Sequence, residues 1–309
     1  MIQRVLTKEI EEIARIELNE TSQIRQETLQ HMEEWIKKQS QVNLNTGATR
    51  LLVGLRLLNF LRGCKFSTQK AKDKLEAFLK VKHGIPEIFS NRDPFSPPLH
   101  DLLKNGCLIP FGTPDKDCFL FRWEVCNSDA VSIVDIVKYG IMLWDIFLNE
   151  SETWMAIGHY AIIDCKGFSF AIVAQHSPVF IKRILVEMLK AYPLRMKGFY
   201  FINCTTAIET FYNLCKSVLS EKLQSRIFFY GNDYSGIFDS IPKKYFPREY
   251  GGCNSSLHEL TEVWKNKVES LRQWFLDDVM CPFGSENLVL NNEFSDYGTN
   301  GSFRKLSFD

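Results

Sequence analysis

The pattern of apolar and polar positions predicts an all-helical first part and a second part in which strands and helices alternate. In the first ninety residues, apolar side chains recur every three or four positions, as on one face of a helix. This spacing predicts helices at residues 7–18, 21–38, 50–61 and 67–82. Pro86 stops the series, and the run RDPFSPP at 92–98 cannot form a helix or a central strand. We therefore expect a helical N-terminal subdomain over residues 1–92.

After this boundary, runs rich in aromatic and β-branched residues alternate with apolar positions at helical spacing. They predict strands at 118–125, 154–164, 199–202 and 227–230, and helices at 133–149, 179–191 and 257–276. Strands joined by helices imply crossover connections and therefore a mainly parallel sheet. The second part, residues 93–278, is thus expected to be an α/β domain.

The stretch between the last two predicted strands is unusually apolar for a crossover helix. Six apolar residues fall on a single helical face: Ile208, Phe211, Tyr212, Cys215, Val218 and Leu219. Four cations flank this stretch. Arg195 and Lys197 are two residues apart before one strand, and Lys222 and Arg226 are four apart before the next. An apolar helix ringed by cations suggests a segment that faces a membrane, and we call residues 207–218 the gate segment.

Several motifs, in this order, resemble the CRAL-TRIO lipid-binding domain. They are LNFLRGCKF at 58–66, D-x-x-G at Asp164, Y-P-x-R-x-K-G at Tyr192 with an Asn five residues on, S-E-K-x-x-x-R at Ser220, and I-P-x-x-Y-x-P-x-E-Y-G-G at Ile241. The resemblance covers roughly residues 30–278. Its motifs are most like those of the branch that holds the α-tocopherol transfer and cellular retinaldehyde-binding proteins. It implies a CRAL-TRIO fold, in which a mainly parallel sheet and crossover helices enclose a hydrophobic cavity under a gate helix.

The resemblance also implies a function, that of a carrier for one small hydrophobic lipid such as a tocopherol, a retinoid, a carotenoid or a similar isoprenoid. The implied cavity wall consists of Ile141, Trp144, Phe147, Ile163, Phe168, Phe170, Ile208, Phe211, Tyr212 and Val218. The alternative is that these residues form ordinary core. Five polar residues of the same region could orient a polar end of the ligand, and the sequence does not choose among them: His159, Tyr160, Ser169, Gln175 and His176.

By the same resemblance, Arg195, Lys197, Lys222 and Arg226 match the basic residues with which the family contacts phosphoinositides. The chain is therefore expected to exchange its ligand at anionic, phosphoinositide-containing membranes, where the gate segment swings outward. The alternative is that the four cations are solvated surface charges. One position departs from the family pattern, because relatives often carry a second Arg two residues after the first, where this chain has Cys64. Because of this difference, the resemblance does not determine how tightly, or how selectively, the chain binds phosphoinositide headgroups.

The composition of the chain bears on the size of its core, on its attraction to charged partners and on its cysteine chemistry. The 309 residues are 45% hydrophobic and 13% aromatic, which is enough for a large core with an internal cavity. Lys plus Arg and Asp plus Glu both number 37, so nothing attracts the whole chain to nucleic acid. The nine cysteines form no C-x-x-C pair, which disfavours a disulfide framework or a zinc site.

The cysteine usage favours a reducing, cytoplasmic setting. With the resemblance, we expect a monomer that contacts membranes only transiently and needs no metal or cofactor besides its lipid. The N-terminus lacks the apolar core of a signal peptide, and no stretch approaches 18 uncharged apolar residues. Residues 279–309 turn to Asn, Ser, Gly and Asp, and we expect this tail to be loop or partly disordered.

Catalysis is not expected, because the sequence contains neither a G-x-S-x-G nucleophile elbow nor a glycine-rich phosphate loop. Two other interpretations share the predicted fold. The chain could be a lipid-sensing adaptor that membranes recruit but that transfers nothing, or it could carry a phospholipid. A carrier accelerates the movement of its ligand between vesicles, whereas an adaptor only binds them.

Overall fold

The computed structural model of the protein describes residues 6–38, 54–126 and 131–278. Two predictions fall outside these ranges, namely the start of the third predicted helix at residues 50–53 and the character of the tail at residues 279–309. Within the described ranges, no helix combines the length and the apolar character needed to cross a membrane.

The first part of the described chain is helical, as predicted. Its helices are α1 Lys8–Leu18, α2 Ser22–Lys38, α3 Leu55–Gly63, α4 Thr68–Gly84, α5 Pro86–Phe89 and α6 Pro97–Lys104. The prediction that residues 92–98 exclude a helix is wrong at its end, because Pro97 begins α6. A proline is tolerated in the first turn, where a backbone N–H has no partner within the helix.

The second part is built on a five-stranded sheet in the order β1-β2-β3-β4-β5. The strands are β1 Leu108–Thr113, β2 Lys116–Arg122, β3 His159–Asp164, β4 Met196–Ile202 and β5 Ile227–Phe229. Strands β2 to β5 are parallel, which confirms the predicted sheet type. Strand β1 was not predicted, and it pairs with β2 as an antiparallel hairpin.

Helices connect the parallel strands and flank the sheet. They are α7 Ile133–Glu150, α8 Trp154–Ile157, α9 Phe170–Ala174, α10 Pro178–Ala191, α11 Thr206–Cys215, α12 Glu221–Gln224, α13 Leu257–Ser270 and α14 Arg272–Asp277. The predicted strand at 154–164 is wrong in its first half, which forms α8. Gly158 adopts a φ of 73° between α8 and β3, a conformation that suits glycine and separates the two elements.

The two faces of the sheet have different cover because side chains alternate along each strand. One face carries Cys118, Leu120, Ile162, Tyr200 and Ile202. These residues pack against buried side chains of a later loop region, namely Ile237, Ile241, Phe246 and Tyr250. The opposite face carries a row of Phe121, Ile163 and Phe201, whose backbones are in register. That face turns toward helices α7, α10 and α11.

Three of the motifs that carry the family resemblance meet at one carboxylate. Asp164 Oδ1 accepts hydrogen bonds from the Lys166 amide at 3.0 Å and from Asn203 Nδ2 at 2.7 Å. Its Oδ2 accepts from the Tyr250 hydroxyl at 2.6 Å. Through the first of these bonds Asp164 caps the turn that follows its strand. Asp164 also joins the ends of β3 and β4 to the loop that covers the far face of the sheet.

Candidate functional site

A cavity of about 400 Å³ lies between the sheet and helices α7, α10 and α11. The sheet contributes Leu108, Phe121, Phe199, Phe201 and Ile227, and the segment after the gate adds Leu219 and Leu223. Helix α7 contributes Ile133, Ile136, Val137, Gly140, Ile141 and Trp144. Helix α10 contributes Ile181, Ile184, Leu185, Met188 and Leu189, and helix α11 contributes Ile208, Phe211, Tyr212 and Cys215. No charged side chain is among these wall residues.

The cavity can hold an apolar ligand and little else. The side chains of its wall carry three polar groups, the Trp144 indole, the Tyr212 hydroxyl and the Cys215 thiol. Burial raises the pKa of the Cys215 thiol, so the thiol is neutral at physiological pH. Pockets of 300–1,000 Å³ with walls of this kind suit small hydrophobic molecules, as a general range. A ligand with a charge at its centre would have to give up its hydration without compensation.

 Of the ten residues expected in the wall, the structure brings five together around the cavity. The five wall residues are Ile141 and Trp144 on α7 and Ile208, Phe211 and Tyr212 on α11. Whether they touch a ligand stays a prediction.

The other five expected wall residues lie elsewhere. Phe147 stacks on Trp264 with the ring centres 5.3 Å apart, and Ile163 and Phe168 pack against the core cluster around α7 and α13. Phe170 is 41% exposed on α9. Val218 lies in a 3₁₀ turn after α11, because the helix ends at Cys215. Helical spacing placed Val218 on the apolar face, but the α-helix ends three residues before it.

Most of the wall was not anticipated from the sequence, although part of it left a signal. Ile181, Ile184, Leu185 and Met188 stand at i, i+3, i+4 and i+7, the spacing of one apolar helix face. That pattern could have suggested α10 as a wall. Leu108 and Phe121 belong to the hairpin of β1 and β2, and no local pattern shows that this hairpin reaches the cavity.

None of the five polar residues considered for orienting a ligand is among the wall residues. Ser169 caps α9 by accepting a hydrogen bond from the Ala171 amide at 3.1 Å. Tyr160 stacks on Tyr200, and His176 stacks on Phe180. His159 is fully buried and stacks on Trp154 with the ring centres 4.9 Å apart. The polar end of a ligand therefore has few direct partners in the wall.

His159 makes the fold sensitive to acid. Neither of its ring nitrogens has a hydrogen-bond partner among the described residues. Burial, helped by the charge of Arg195, lowers the pKa of His159 to about 3, whereas an unfolded chain binds this proton near the ordinary value of 6.5. The folded state thus binds fewer protons, and stability falls as the pH drops from about 6.5 toward 3.

We expect His159→Phe to reduce this acid sensitivity while preserving the aromatic stack. Between pH 7 and pH 5 the wild type loses about 2 kcal/mol of stability through this residue, and the variant does not. Urea unfolding at the two pH values measures the difference. A His258→Phe variant, at an exposed position of α13, is the control. Equal losses in wild type and His159→Phe would contradict the expected role of the buried imidazole.

The structure brings three of the four expected cations together at the start of β4. Arg195 is not the solvated surface charge that the sequence allowed, because it is only 5% exposed. It donates to the carbonyl oxygens of Met155 and Ala156 at 2.5 and 2.6 Å. Arg226 donates to the Met196 carbonyl at 2.5 Å. Lys197 lies beside them. Its burial, together with the nearby charges of Arg195 and Arg226, lowers the pKa of its ammonium group.

The fourth expected cation, Lys222, and the position of Cys64, where relatives often carry Arg, differ in their burial. Lys222 is half-buried on α12, the short helix that precedes Arg226. Cys64 is buried at the end of α3, so the position that often carries a second Arg in relatives does not reach the surface here. The preceding Arg62 is also buried and forms a bidentate ion pair with Glu20. Its Nε and Nη2 donate to the two carboxylate oxygens, each at 2.9 Å.

Comparison with known families agrees with this architecture. Residues 104–252 match the CRAL/TRIO domain family, and residues 21–99 match the Pinta-like UBA domain family. The chain contains a CRAL/TRIO domain. The matched region of the CRAL/TRIO domain includes all five strands and every helix that lines the cavity.

Relatives extend the similarity beyond the CRAL/TRIO domain. Alpha-tocopherol transfer protein-like of Homo sapiens is 27% identical over 292 residues, which cover 92% of this chain and 81% of the relative. Clavesin-1 of Mus musculus is 25% identical over 260 residues, 81% of this chain and 70% of its own. A crystal structure of Sfh5 has the same fold, with a TM-score of 0.52 and 15% identity over 75% of this chain and 91% of the other.

Proposed function

We propose that the protein is a lipid carrier that holds one small hydrophobic lipid in the cavity and exchanges it at anionic, phosphoinositide-containing membranes. The observation that carries this proposal is the cavity of about 400 Å³ with its almost wholly apolar wall. The relatives named for tocopherol transfer support the same class of cargo, a small isoprenoid lipid such as a tocopherol, retinoid or carotenoid.

The cavity offers enough free energy for binding without a covalent bond or a metal. Burying roughly 500 Å² of a hydrophobic ligand contributes on the order of 12 kcal/mol at about 25 cal/mol per Å². Loss of translational and rotational freedom costs at least about 4 kcal/mol of this. The remainder corresponds to an affinity of about micromolar or better.

Exchange requires a part of the wall to move, and α11 is the part best placed to do so. Its residues Phe211 and Tyr212 line the cavity yet stay half-buried, so the helix covers the ligand without being embedded in the core. Asn203, with a φ of 53°, precedes α11, and a 3₁₀ turn follows it. In the proposed mechanism the gate segment moves outward when Arg226, Lys222 and their neighbours meet an anionic surface.

Transfer between vesicles tests the proposal. The protein is loaded with a fluorescent tocopherol analogue, and acceptor vesicles contain either phosphatidylcholine alone or phosphatidylcholine with phosphoinositide. We expect transfer to phosphoinositide acceptors to be at least about tenfold faster at low salt, because each cation at an anionic surface contributes about 1 kcal/mol. The advantage should shrink at high salt, where exposed charges are screened.

Three outcomes would count against the proposal or a part of it. If the protein binds phosphoinositide vesicles and moves no analogue, it is the adaptor that remains as the alternative. If native mass spectrometry finds a phospholipid in the purified protein and the isoprenoid analogues do not displace it, the cargo class is wrong. Equal transfer rates to both acceptors at every salt concentration would remove the electrostatic part alone.

A further inference from the structure

Helix α1 lies across the basic group at the start of β4 and places a carboxylate on it. Arg195 Nη2 donates to Glu17 Oε2 at 2.5 Å, and Lys197 Nζ donates to the same oxygen. The guanidinium of Arg195 is also held by the carbonyl oxygens of Met155 and Ala156. Glu17 therefore occupies a preformed anion site in which the main cation is fixed by the backbone.

The helix that carries Glu17 is docked through its apolar face. Ile10, Ala14 and Leu18 are all buried, and they recur at the four-residue spacing of one helix face. Glu17 stands at the edge of this face, and its side chain is 36% exposed. An anion from solution can thus reach the carboxylate position while the apolar face of α1 stays in place.

Glu17 carries its charge at neutral pH. Burial alone would raise the pKa of its carboxyl group, but the hydrogen bond from Lys197 and the charges of Lys197 and Arg195 outweigh this effect and lower the pKa. The carboxylate therefore neutralises part of the cation group in the folded protein. Two of the four cations in the proposed membrane contact are engaged in this way.

We propose that Glu17 is an internal anion that competes with lipid phosphate for the site formed by Arg195 and Lys197. The inference rests on the proposed function and adds a regulatory contact to it. A carboxylate on the same chain acts at a high effective concentration, so it holds the site in solution. A phosphate monoester brings up to two charges and three acceptor oxygens, so it displaces Glu17 where a membrane offers it at high density. Docking then requires a higher phosphoinositide density than the same site would need without Glu17.

Glu17→Gln tests this competition, with Glu12→Gln as the matched control. Both variants remove one negative charge from α1, but Glu12 pairs with Arg15 on the exposed side of the helix. The probe is binding to phosphatidylcholine vesicles that contain phosphatidylinositol bisphosphate, measured by co-sedimentation at low salt. We expect Glu17→Gln to bind about fivefold more tightly than the wild type, because Arg195 and Lys197 no longer hold a competing charge. Glu12→Gln should bind like the wild type, because Glu12 pairs with Arg15 and not with these two cations.

The outcomes separate this inference from the proposed function. If both variants and the wild type bind the vesicles equally, the competition does not exist and the carrier proposal is unaffected. If Glu17→Gln binds more weakly than the wild type, Glu17 supports the site instead of blocking it, and the inference is again overturned. If no variant binds vesicles while the tocopherol analogue is still taken up, the membrane part of the proposed function fails together with the inference.

Discussion

Asp145→Ala is expected to destabilise the protein by about 3–5 kcal/mol, because it removes the carboxylate that the buried guanidinium groups of Arg56 and Arg92 share. Arg92 keeps its second ion pair, with Asp278. Asp145 is fully buried on α7 and accepts hydrogen bonds from Arg56 Nη2 at 2.9 Å and from Arg92 Nη1 at 2.7 Å. The Tyr192 hydroxyl donates to the same carboxylate at 3.1 Å. Both arginines are themselves almost completely buried. The carboxylate thus joins α3 and the loop after α5 to the α/β domain.

The pKa of Asp145 shows which effect dominates in this network. Burial alone would raise it, but the charges of Arg92, Arg56 and Lys82 outweigh the burial and lower it. The carboxylate is therefore ionised. Its removal takes a negative charge away from the buried Arg56 and Arg92 guanidinium groups, which water does not reach. Asp145→Asn keeps the size and some of the hydrogen bonds, so we expect a smaller loss than for alanine.

Chemical unfolding of both variants measures these losses. The control is Asp93→Ala, since Asp93 pairs with Arg272 at the surface, where such a pair contributes at most about 1 kcal/mol. A loss for Asp145→Ala no larger than that for Asp93→Ala would show that the network does not hold the two parts together.

Gly140→Leu is expected to weaken cargo binding about 100-fold without unfolding the protein. Gly140 lies on α7 in the cavity wall, and a Cβ atom at this position would lie 3.8 Å from Leu108 Cδ2, an ordinary contact. A leucine side chain fills space that about four ligand carbons would occupy, and each buried CH₂ contributes about 0.8 kcal/mol. The loss of about 3 kcal/mol corresponds to the expected factor.

Gly140→Ala is the matched control for this prediction. It adds only the Cβ atom, and glycine to alanine in a helix interior stabilises the helix by about 0.5–1 kcal/mol. We expect it to bind cargo like the wild type and to melt at a slightly higher temperature. Titration with the fluorescent tocopherol analogue and thermal unfolding give both quantities. If Gly140→Leu lowers the melting temperature strongly and leaves the affinity unchanged, the space is ordinary core and the ligand binds elsewhere.

The sequence alone supports much of the fold, because periodicity and motif order are local properties. Runs of aromatic and β-branched residues identified strands β2 to β5, helical spacing identified α1 to α4, α7 and α10, and the motif order indicated the family. The ends of elements were less certain. The predicted helix at 257–276 is divided at Leu271, and the first part of the strand at 154–164 is the helix α8. Single turns such as α8 have no period long enough to recognise.

The tertiary structure decided which apolar faces surround a cavity and which are packed. Ile208, Phe211 and Tyr212 were identifiable as one apolar face of α11. Ile163 and Phe168 are equally apolar, but they pack against a core cluster and are not among the wall residues. Spacing determines the side of its own element on which a residue lies, and it says nothing of the element that covers that side.

The charged groups also separate what the sequence determines from what the tertiary structure determines. The sequence determined that Arg195 and Lys197 share one side of a strand, and the family resemblance suggested an anionic partner for them. Only the folded chain brings Glu17 to them, across 178 positions for Arg195 and 180 for Lys197. Asp145 and Arg56 likewise meet across 89 positions. Such pairs form because burial makes an unpaired charge costly, and the fold alone determines which charges are buried together.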